Sequence, residues 1–543
     1  MNSFKPMLLT SLKSYDRAQF AKDVTAGIIV AIIALPLSIA LALASGVGPE
    51  AGIFTAIVAG FVISALGGSC VQIAGPTAAF ATIVAGIVAR DGLEGLMTAT
   101  ILAGVFLIIM GFCHFGSLIK FIPYTITTGF TSGIAVTIVI GQLKDFCGVT
   151  YPDGVKPIET MEKLKAFAEN FSTISPDALI VGGVSLAILI VSPLIFKKIP
   201  GSLIAVIAGI LMVQFLPLHV STIGNLYTIS NALPTLHLPV FDMKLIQSAI
   251  PNAFTIAVLA AIESLLSCVV ADGMINSKHR SDTELIAQGA GNIASALFGG
   301  IPATGAIART AANIKNGGRT PVAGMVHSIT LVIVLVVLMP FAGMIPMPTI
   351  AAILFLVAYN MCQWRTFMHL VRTAPKSDII VLFTTFVLTV VFDLVVAIEI
   401  GMVLACLLFI KRMSEETHAD SWVYVDDDSP AVDEHLQKLP LEIRVYEITG
   451  PLFFGAADAI EHIVVKDFTK CLVLRMRSVP AIDSTAMNAL QNLTKLCESK
   501  GITLVFSHVN EQPMKVMKKS GFVELVGEEN FCSNISDALK LHI

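Results

Sequence analysis

Gly75-Pro76-Thr77-Ala78-Ala79 and Gly300-Ile301-Pro302-Ala303-Thr304-Gly305 are the two stretches on which the fold turns. Each opens a short apolar segment, near 76–89 and 303–314, well below the roughly 20 residues that a bilayer-crossing helix needs. Proline suits a first helical position, because the N–H it lacks would be unpaired there. Ahead of each stretch lies glycine-bearing chain, Gly67-Gly68-Ser69 and Gly299-Gly300, fit for extended backbone rather than helix. Each unit thus reads as an extended strand running to mid-membrane, followed by a half-helix running out again. The spacing repeats as well: Pro76 follows Val24 by 52 residues, and Pro302 follows Pro251 by 51.

Working outward, long apolar runs near 24–45, 51–67, 94–112, 122–143, 178–196, 201–217, 250–271, 284–298, 321–340, 346–361, 378–393 and 395–410 read as full spans. With the two half-helices they make fourteen, arranged as a 7+7 inverted repeat, because an odd number of spans sets the second copy upside down. Repeats of this kind hold substrate at the midplane between discontinuous helices. The two half-helix N-termini would face each other there, each with about +0.5 charge and unpaired N–H donors. Together they form an anion site built from Gly75, Pro76, Thr77, Ala78, Ala303, Thr304 and Gly305. The competing reading is a pair of re-entrant packing elements.

Composition sets the same class. Of 543 residues, 55% are hydrophobic and 14% charged, against about 25% charged in ordinary soluble domains; mean hydropathy is +0.81. A net charge of −4 argues against a nucleic-acid partner. The first apolar run, Val24 to Ala44, has no signal-peptide cleavage pattern and reads as the first span. Basic residues mark cytoplasmic loops: Lys120, Lys197-Lys198, Lys278-His279-Arg280, Lys315, Arg319, Arg365, Arg372, Lys376 and Lys411-Arg412 fall on one side. Fewer (Arg90, Lys144, Lys156, Lys244) fall on the other, where 145–177 is the largest loop. Both termini are then cytoplasmic in a multi-pass bacterial inner-membrane protein. The nine cysteines form no Cys-x-x-Cys pair, and those in apolar segments (Cys113, Cys268, Cys406) read as small hydrophobes.

Two charged residues stand inside apolar segments. Arg309 lies seven residues into the second half-helix, about 10 Å from its start at 1.5 Å per residue. A cation there costs about 2.5–3.5 kcal/mol on insertion scales. It reads as a counter-charge for substrate or, alternatively, as a side chain snorkelling to headgroups. Glu263, within Ala260-Ala261-Ile262-Glu263-Ser264-Leu265-Leu266, reads as the carrier of a proton that moves with the anion, or as an interhelical hydrogen-bonder. Asp393 and Glu399 read as interfacial. There is no hydrolase constellation and no phosphate loop in the sequence, so neither an enzyme nor a cofactor is expected.

Hydrophobic character stops at Lys411-Arg412, followed by the acidic Asp426-Asp427-Asp428-Ser429-Pro430. The expected division is a cytoplasmic segment 1–22, a transmembrane domain 23–412, a linker 413–440 and a cytoplasmic domain 441–543. In the last, strands are expected at 442–448, 471–476 and 503–507, and helices at 456–464, 484–499 and 512–518, giving a small α/β sheet domain.

The motifs of the membrane body resemble the SulP group of anion permeases, which includes prestin and pendrin. Ser45–Ser69 with Gly75-Pro76-Thr77-Ala78, Glu263–Met274, and Pro302–Gly324 with Ala308-Arg309-Thr310 carry the resemblance. Ala260–Met274, Ala374–Ile380 and Ile448–Ala457 are similar to the bacterial C4-dicarboxylate permease branch. The resemblance implies a core domain (spans 1–4 and 8–11) moving against a gate domain (5–7 and 12–14) in an elevator-type cycle, and a homodimer. It implies sulfate or a C4-dicarboxylate as substrate, Arg309 at the anion site and Glu263 in proton coupling. An exchanger of bicarbonate and chloride, or an anion channel, is the alternative on the same fold. Where many relatives carry Leu-Pro-Gln in the first span, this chain has Leu35-Pro36-Leu37, so one potential substrate contact is missing. The tail resembles a STAS domain through Ile482-Asp483-Ser484-Thr485. That implies Ser484 as a possible phosphorylation site and a cytoplasmic protein partner, although Asp483 and Ser484 also fit a helix N-cap.

Overall fold

The computed structural model describes residues 4–117, 122–152, 157–195, 200–239, 242–392, 394–421, 442–464 and 468–540. Lys120, Lys156, Lys197-Lys198, Asp393, Asp426–Pro430 and Leu441, all used in the sequence reading, lie outside them. The chain divides into two compact units, Met1–Met402 and Val403–Ile543.

The first unit is helical. Its principal helices are α1 (Arg17–Ala44), α2 (Pro49–Leu66), α3 (Ala81–Phe112), α4 (Tyr124–Cys147), α5 (Pro176–Ile195), α6 (Gly201–Phe215), α7 (Met243–Ile275), α8 (Ser281–Leu297), α9 (Ile307–Lys315), α10 (Val322–Ala342), α11 (Met347–Cys362), α12 (Lys376–Val391) and α13 (Leu394–Glu415). The unit boundary falls within α13. Each of the fourteen expected segments coincides with a helical stretch among the described residues. Eight helices among them are long and apolar enough to cross a membrane. Their apolar residues run all round: on α10, Leu331 and Leu335 are buried while Ile333 and Val337 are exposed. A helix apolar on its outer face needs an apolar solvent, and the bilayer supplies one. Cys268 is buried as expected, but Cys113 and Cys406 are exposed rather than packed inside. Glu399 is exposed on α13.

A single helix from Ala78 to Phe112 would be about 52 Å long at 1.5 Å per residue. Gly92 breaks it: its φ of 69° and ψ of −168° are accessible to glycine alone, so a half-helix ends there and a full span begins. The helices then sort into two groups. One packs α1, α2, α3, α7, α8, α9 and α10 together; the other packs α4, α5, α6, α11 and α12. This is the division into core and gate implied by the resemblance.

The second unit holds a five-stranded sheet in the order β3-β4-β5-β6-β7. Its strands are β3 (His418–Ser421), β4 (Ile443–Thr449), β5 (Cys471–Ser478), β6 (Thr503–Ser507) and β7 (Phe531–Cys532). β3 runs antiparallel to β4, and the other pairs are parallel. The first strand therefore lies inside the stretch expected as linker, 413–440. Similarly, α1 begins inside the expected 1–22 segment. Tyr446, Leu472, Leu474, Leu504 and Phe506 face a core shared with the crossover helices α14 (Asp458–Glu461), α15 (Ser484–Ser499), α16 (Glu511–Lys519) and α17 (Phe522–Val526). The alternate residues Val445, Val473 and Val505 face α18 (Ile535–Lys540). Period-2 alternation thus covers both faces of the sheet. Of the expected helices, α15 matches its bounds, whereas 456–464 shortens to the single turn of α14.

Candidate functional site

The two half-units meet at a two-residue antiparallel pairing of β1 (Ala74–Gly75) with β2 (Thr304–Gly305). Ala74 faces Gly305 and Gly75 faces Thr304, as two oppositely inserted copies should. This corrects the placement of the prolines. The pairing makes Gly75 equivalent to Gly305, so Pro76 corresponds to Ala306 and not to Pro302. Neither proline begins a helix: the first half-helix opens at Ala78 and α9 opens at Ile307. Gly75, Ala303, Thr304 and Gly305 accordingly lie in extended chain, where proline's fixed φ is also accommodated. Arg309 is the third residue of α9, in its first turn rather than seven residues in.

That position brings the predicted residues together. Arg309 is 1% exposed, so it does not snorkel. Its Nη2 donates to Pro76 O at 3.2 Å and to Ser38 Oγ at 3.3 Å. Its Nε and Nη1 are buried and find no partner among the described residues. Gly75 makes room for this guanidinium, because a Cβ there would collide with Nη1. On the other side of the pairing, Thr77 donates to Glu263 Oε2 at 2.9 Å, while Ser264 and Thr304 share a hydroxyl–hydroxyl bond of 2.6 Å. The Gly305 N–H donates to Ser264 Oγ at 3.1 Å. Thr77, Glu263 and Ala306 are half-buried and Ile307 and Ala308 are exposed, so the α9 N-terminus opens onto accessible space, whereas Ala78 and Ala79 of the first half-helix are buried. A helix's first N–H groups lack intrahelical acceptors. Two such ends beside a buried cation with two free donors suit a negatively charged guest.

The comparisons agree with this architecture. The profile of the sulfate permease family matches residues 20–385, and that of the STAS domain matches 438–538. The chain belongs to the sulfate permease family. YvdB of Bacillus subtilis, a relative named for sulfate transport, is 38% identical over 531 residues, covering 96% of this chain and 97% of its own. The bicarbonate transporter BicA of Picosynechococcus is 34% identical, covering 87% of this chain and 85% of its own. The solved structure of SLC26A9 superposes with a TM-score of 0.87 at 19% identity, covering 98% of this chain and 92% of its own, and so shares the fold. These relatives are named as transporters, in line with the lack of enzyme motifs. The chain is an anion transporter of this family, a multi-pass membrane protein with a C-terminal STAS domain.

Several residues that build the site escaped the sequence reading. Buried extended chain beyond the two paired residues needs further hydrogen-bond partners. Glu284 Oε2 accepts from the Gly68 and Ser69 N–H groups at 2.8 and 3.2 Å, and Glu284 Oε1 accepts from Gln72 Nε2 at 2.8 Å. Asn292 brackets Ala303, accepting from its N–H at 2.8 Å and donating to its carbonyl at 2.9 Å. Thr310 Oγ1 accepts from the Ile73 N–H at 3.1 Å, and Asn313 Nδ2 donates to Val71 O at 2.9 Å. Glu284, Gln288 and Asn292 recur every four residues along α8. This polar stripe down one helical face was a readable signal.

In the tail, Asp483 is the N-cap of α15: Oδ1 accepts from the Ala486 N–H at 2.9 Å, and Oδ2 from the Phe454 N–H at 2.8 Å. Ser484 does not share the cap, and its side chain is exposed.

Proposed function

We propose that the protein is a proton-coupled secondary transporter of a small oxyanion, sulfate or bicarbonate. The observation that carries the proposal is the buried Arg309, whose Nε and Nη1 donors are unpaired where two half-helix N-termini meet. The anion takes those donors together with the N–H groups from Thr77 to Ala79 and from Ile307 to Ala308. Its charge is recognised more than its shape. Protonation of Glu263, which shares a hydrogen bond with Thr77 beside the same helix end, offsets part of the anion's charge during the crossing.

Both relatives named for a substrate, YvdB and BicA, carry oxyanions in their names. They favour sulfate or bicarbonate over the C4-dicarboxylate suggested by local motifs. The core helices, which hold every residue of the site, move against the gate group in an elevator-type cycle. The remaining proposals are fourteen spans with both termini cytoplasmic in a bacterial inner membrane, a homodimer, and Ser484 as a modification site at the STAS surface, where a cytoplasmic partner docks.

The test is uptake of labelled sulfate, bicarbonate and succinate into proteoliposomes, with and without an inward proton gradient, for the parent chain and for Glu263→Gln. Gradient-driven accumulation of one anion, lost in Glu263→Gln, is the expected result and names the substrate. Flux that ignores the gradient and survives the substitution overturns proton symport in favour of exchange or a channel.

A further inference from the structure

At the carboxyl ends of β5 and β6, three polar atoms are buried without a partner among the described residues: Arg475 Nε, Ser507 Oγ and His508 Nδ1. Ser507 is fully buried, with 0% exposure. Strand register sets Glu447, Arg475, Ser507 and Cys532 side by side in one row across four strands. The row continues the face of Val445, Val473 and Val505, opposite the crossover helices. Carboxyl ends of parallel strands are where open α/β sheets bind ligands.

Glu447 Oε2 accepts only from Arg475 Nη1, at 3.4 Å, which leaves Nε–H unused. Ser507 has no partner across the row. His508 holds a left-handed φ of 54°, a conformation uncommon for a non-glycine residue. Its N–H donates to Cys532 O at 3.1 Å, which fixes the turn. Burial, and then the Arg475 and Arg477 cations, hold its ring below the ordinary histidine range. Glu447 balances Arg475 within the row, Arg477 lies two residues further along β5 and the Asp537 carboxylate acts on Cys532; the unused Arg475 Nε–H and Ser507 hydroxyl are both able to donate. A buried donor left without its hydrogen bond is a cost that an incoming acceptor would relieve.

We propose that Arg475, Ser507 and His508 form a small-oxyanion site on the tail sheet, distinct from the membrane site and independent of which anion is transported. Sulfate and inorganic phosphate share the chemistry that would fill it. The experiment is hydrogen-exchange mass spectrometry on the full-length protein in detergent, with sulfate, phosphate or bicarbonate titrated at constant ionic strength against potassium chloride. The expected result is slowed exchange in peptides spanning 503–510 and 528–534 with sulfate, phosphate or both. The more effective anion identifies the source: sulfate a transport-linked ligand, phosphate a metabolic one.

Ser507→Ala removes a hydroxyl that has no hydrogen-bond partner among the described residues, so exchange without anion should not change. The anion concentration for half-protection should nevertheless rise about 10-fold, the value of one hydrogen bond to a charged group. Arg475→Gln should abolish the protection. Protection that is absent with all three anions overturns the site. So does protection that persists equally in Ser507→Ala and Arg475→Gln, which would mark a bulk-salt effect.

Discussion

The Thr77 hydroxyl donates to Glu263 Oε2 at 2.9 Å, tying the start of the first half-helix to a carboxyl on α7, 186 residues away in the chain. The proposed anion site and the proposed proton carrier therefore share one hydrogen bond. Thr77→Val keeps the shape and removes the donor. A hydrogen bond to a charged group contributes about 1.5–3 kcal/mol, so gradient-driven uptake should fall about 10-fold or more while the protein stays folded. Unchanged uptake in the proteoliposome assay would detach Thr77 from the coupling step.

Gly75 and Arg309 form the second pair. Gly75→Ala drives a methyl group toward Arg309 Nη1, so the guanidinium must shift away from Gly75, and anion affinity should weaken about 10-fold. In the Arg309→Ala background the same change should add little, because its target is gone. A double-mutant cycle on anion binding reads the coupling directly. Additive effects would mean that the methyl acts elsewhere.

Asp23 is fully buried near the start of α1 and ties that helix to the loop before α10. It accepts from Tyr15 Oη at 3.0 Å, Gln19 Nε2 at 2.9 Å, the Arg319 N–H at 2.9 Å and Thr320 Oγ1 at 2.6 Å. Asp23→Ala strands these donors and should cost about 3 kcal/mol or more, read as a lower Tm of the purified protein. Burial and the Asp23 carboxylate push the Tyr15 hydroxyl up to about 12. A raised folded value stabilises below the tyrosine's ordinary value near 10 and is lost as pH climbs through about 12. The Tyr15 contribution should therefore hold undiminished from pH 7 to pH 9.

Asp483 and Ser484 separate a structural role from the proposed regulatory one. Asp483→Ala removes the α15 cap and the acceptor of the Phe454 N–H; it should cost about 1–2 kcal/mol and speed limited proteolysis of the tail. Ser484→Ala should leave proteolysis unchanged. Equal effects would return Ser484 to a structural role.

The amino-acid sequence by itself determined the membrane class, the order of the apolar helical segments, the duplication and the candidacy of Arg309 and Glu263. Long apolar runs have few alternatives to spanning helices, and a charge inside one stands out against them. Ser484–Ser499 was legible to the residue for a similar reason, since a capping aspartate and an amphipathic period mark both ends locally. The meeting of β1 with β2 was decided by tertiary structure alone, as was the consequence that Pro76 pairs in symmetry with Ala306. A two-residue strand carries no period, and its partner lies about 230 residues away. The support from Glu284 and Asn292 has the same character. Buried extended chain must find hydrogen-bond partners, but which side chain supplies them depends on α8 arriving beside it, over 200 residues from Gly68 and Ser69. The free donors of Arg309 are likewise a property of the assembled core, because only packing removes water and other acceptors from a guanidinium.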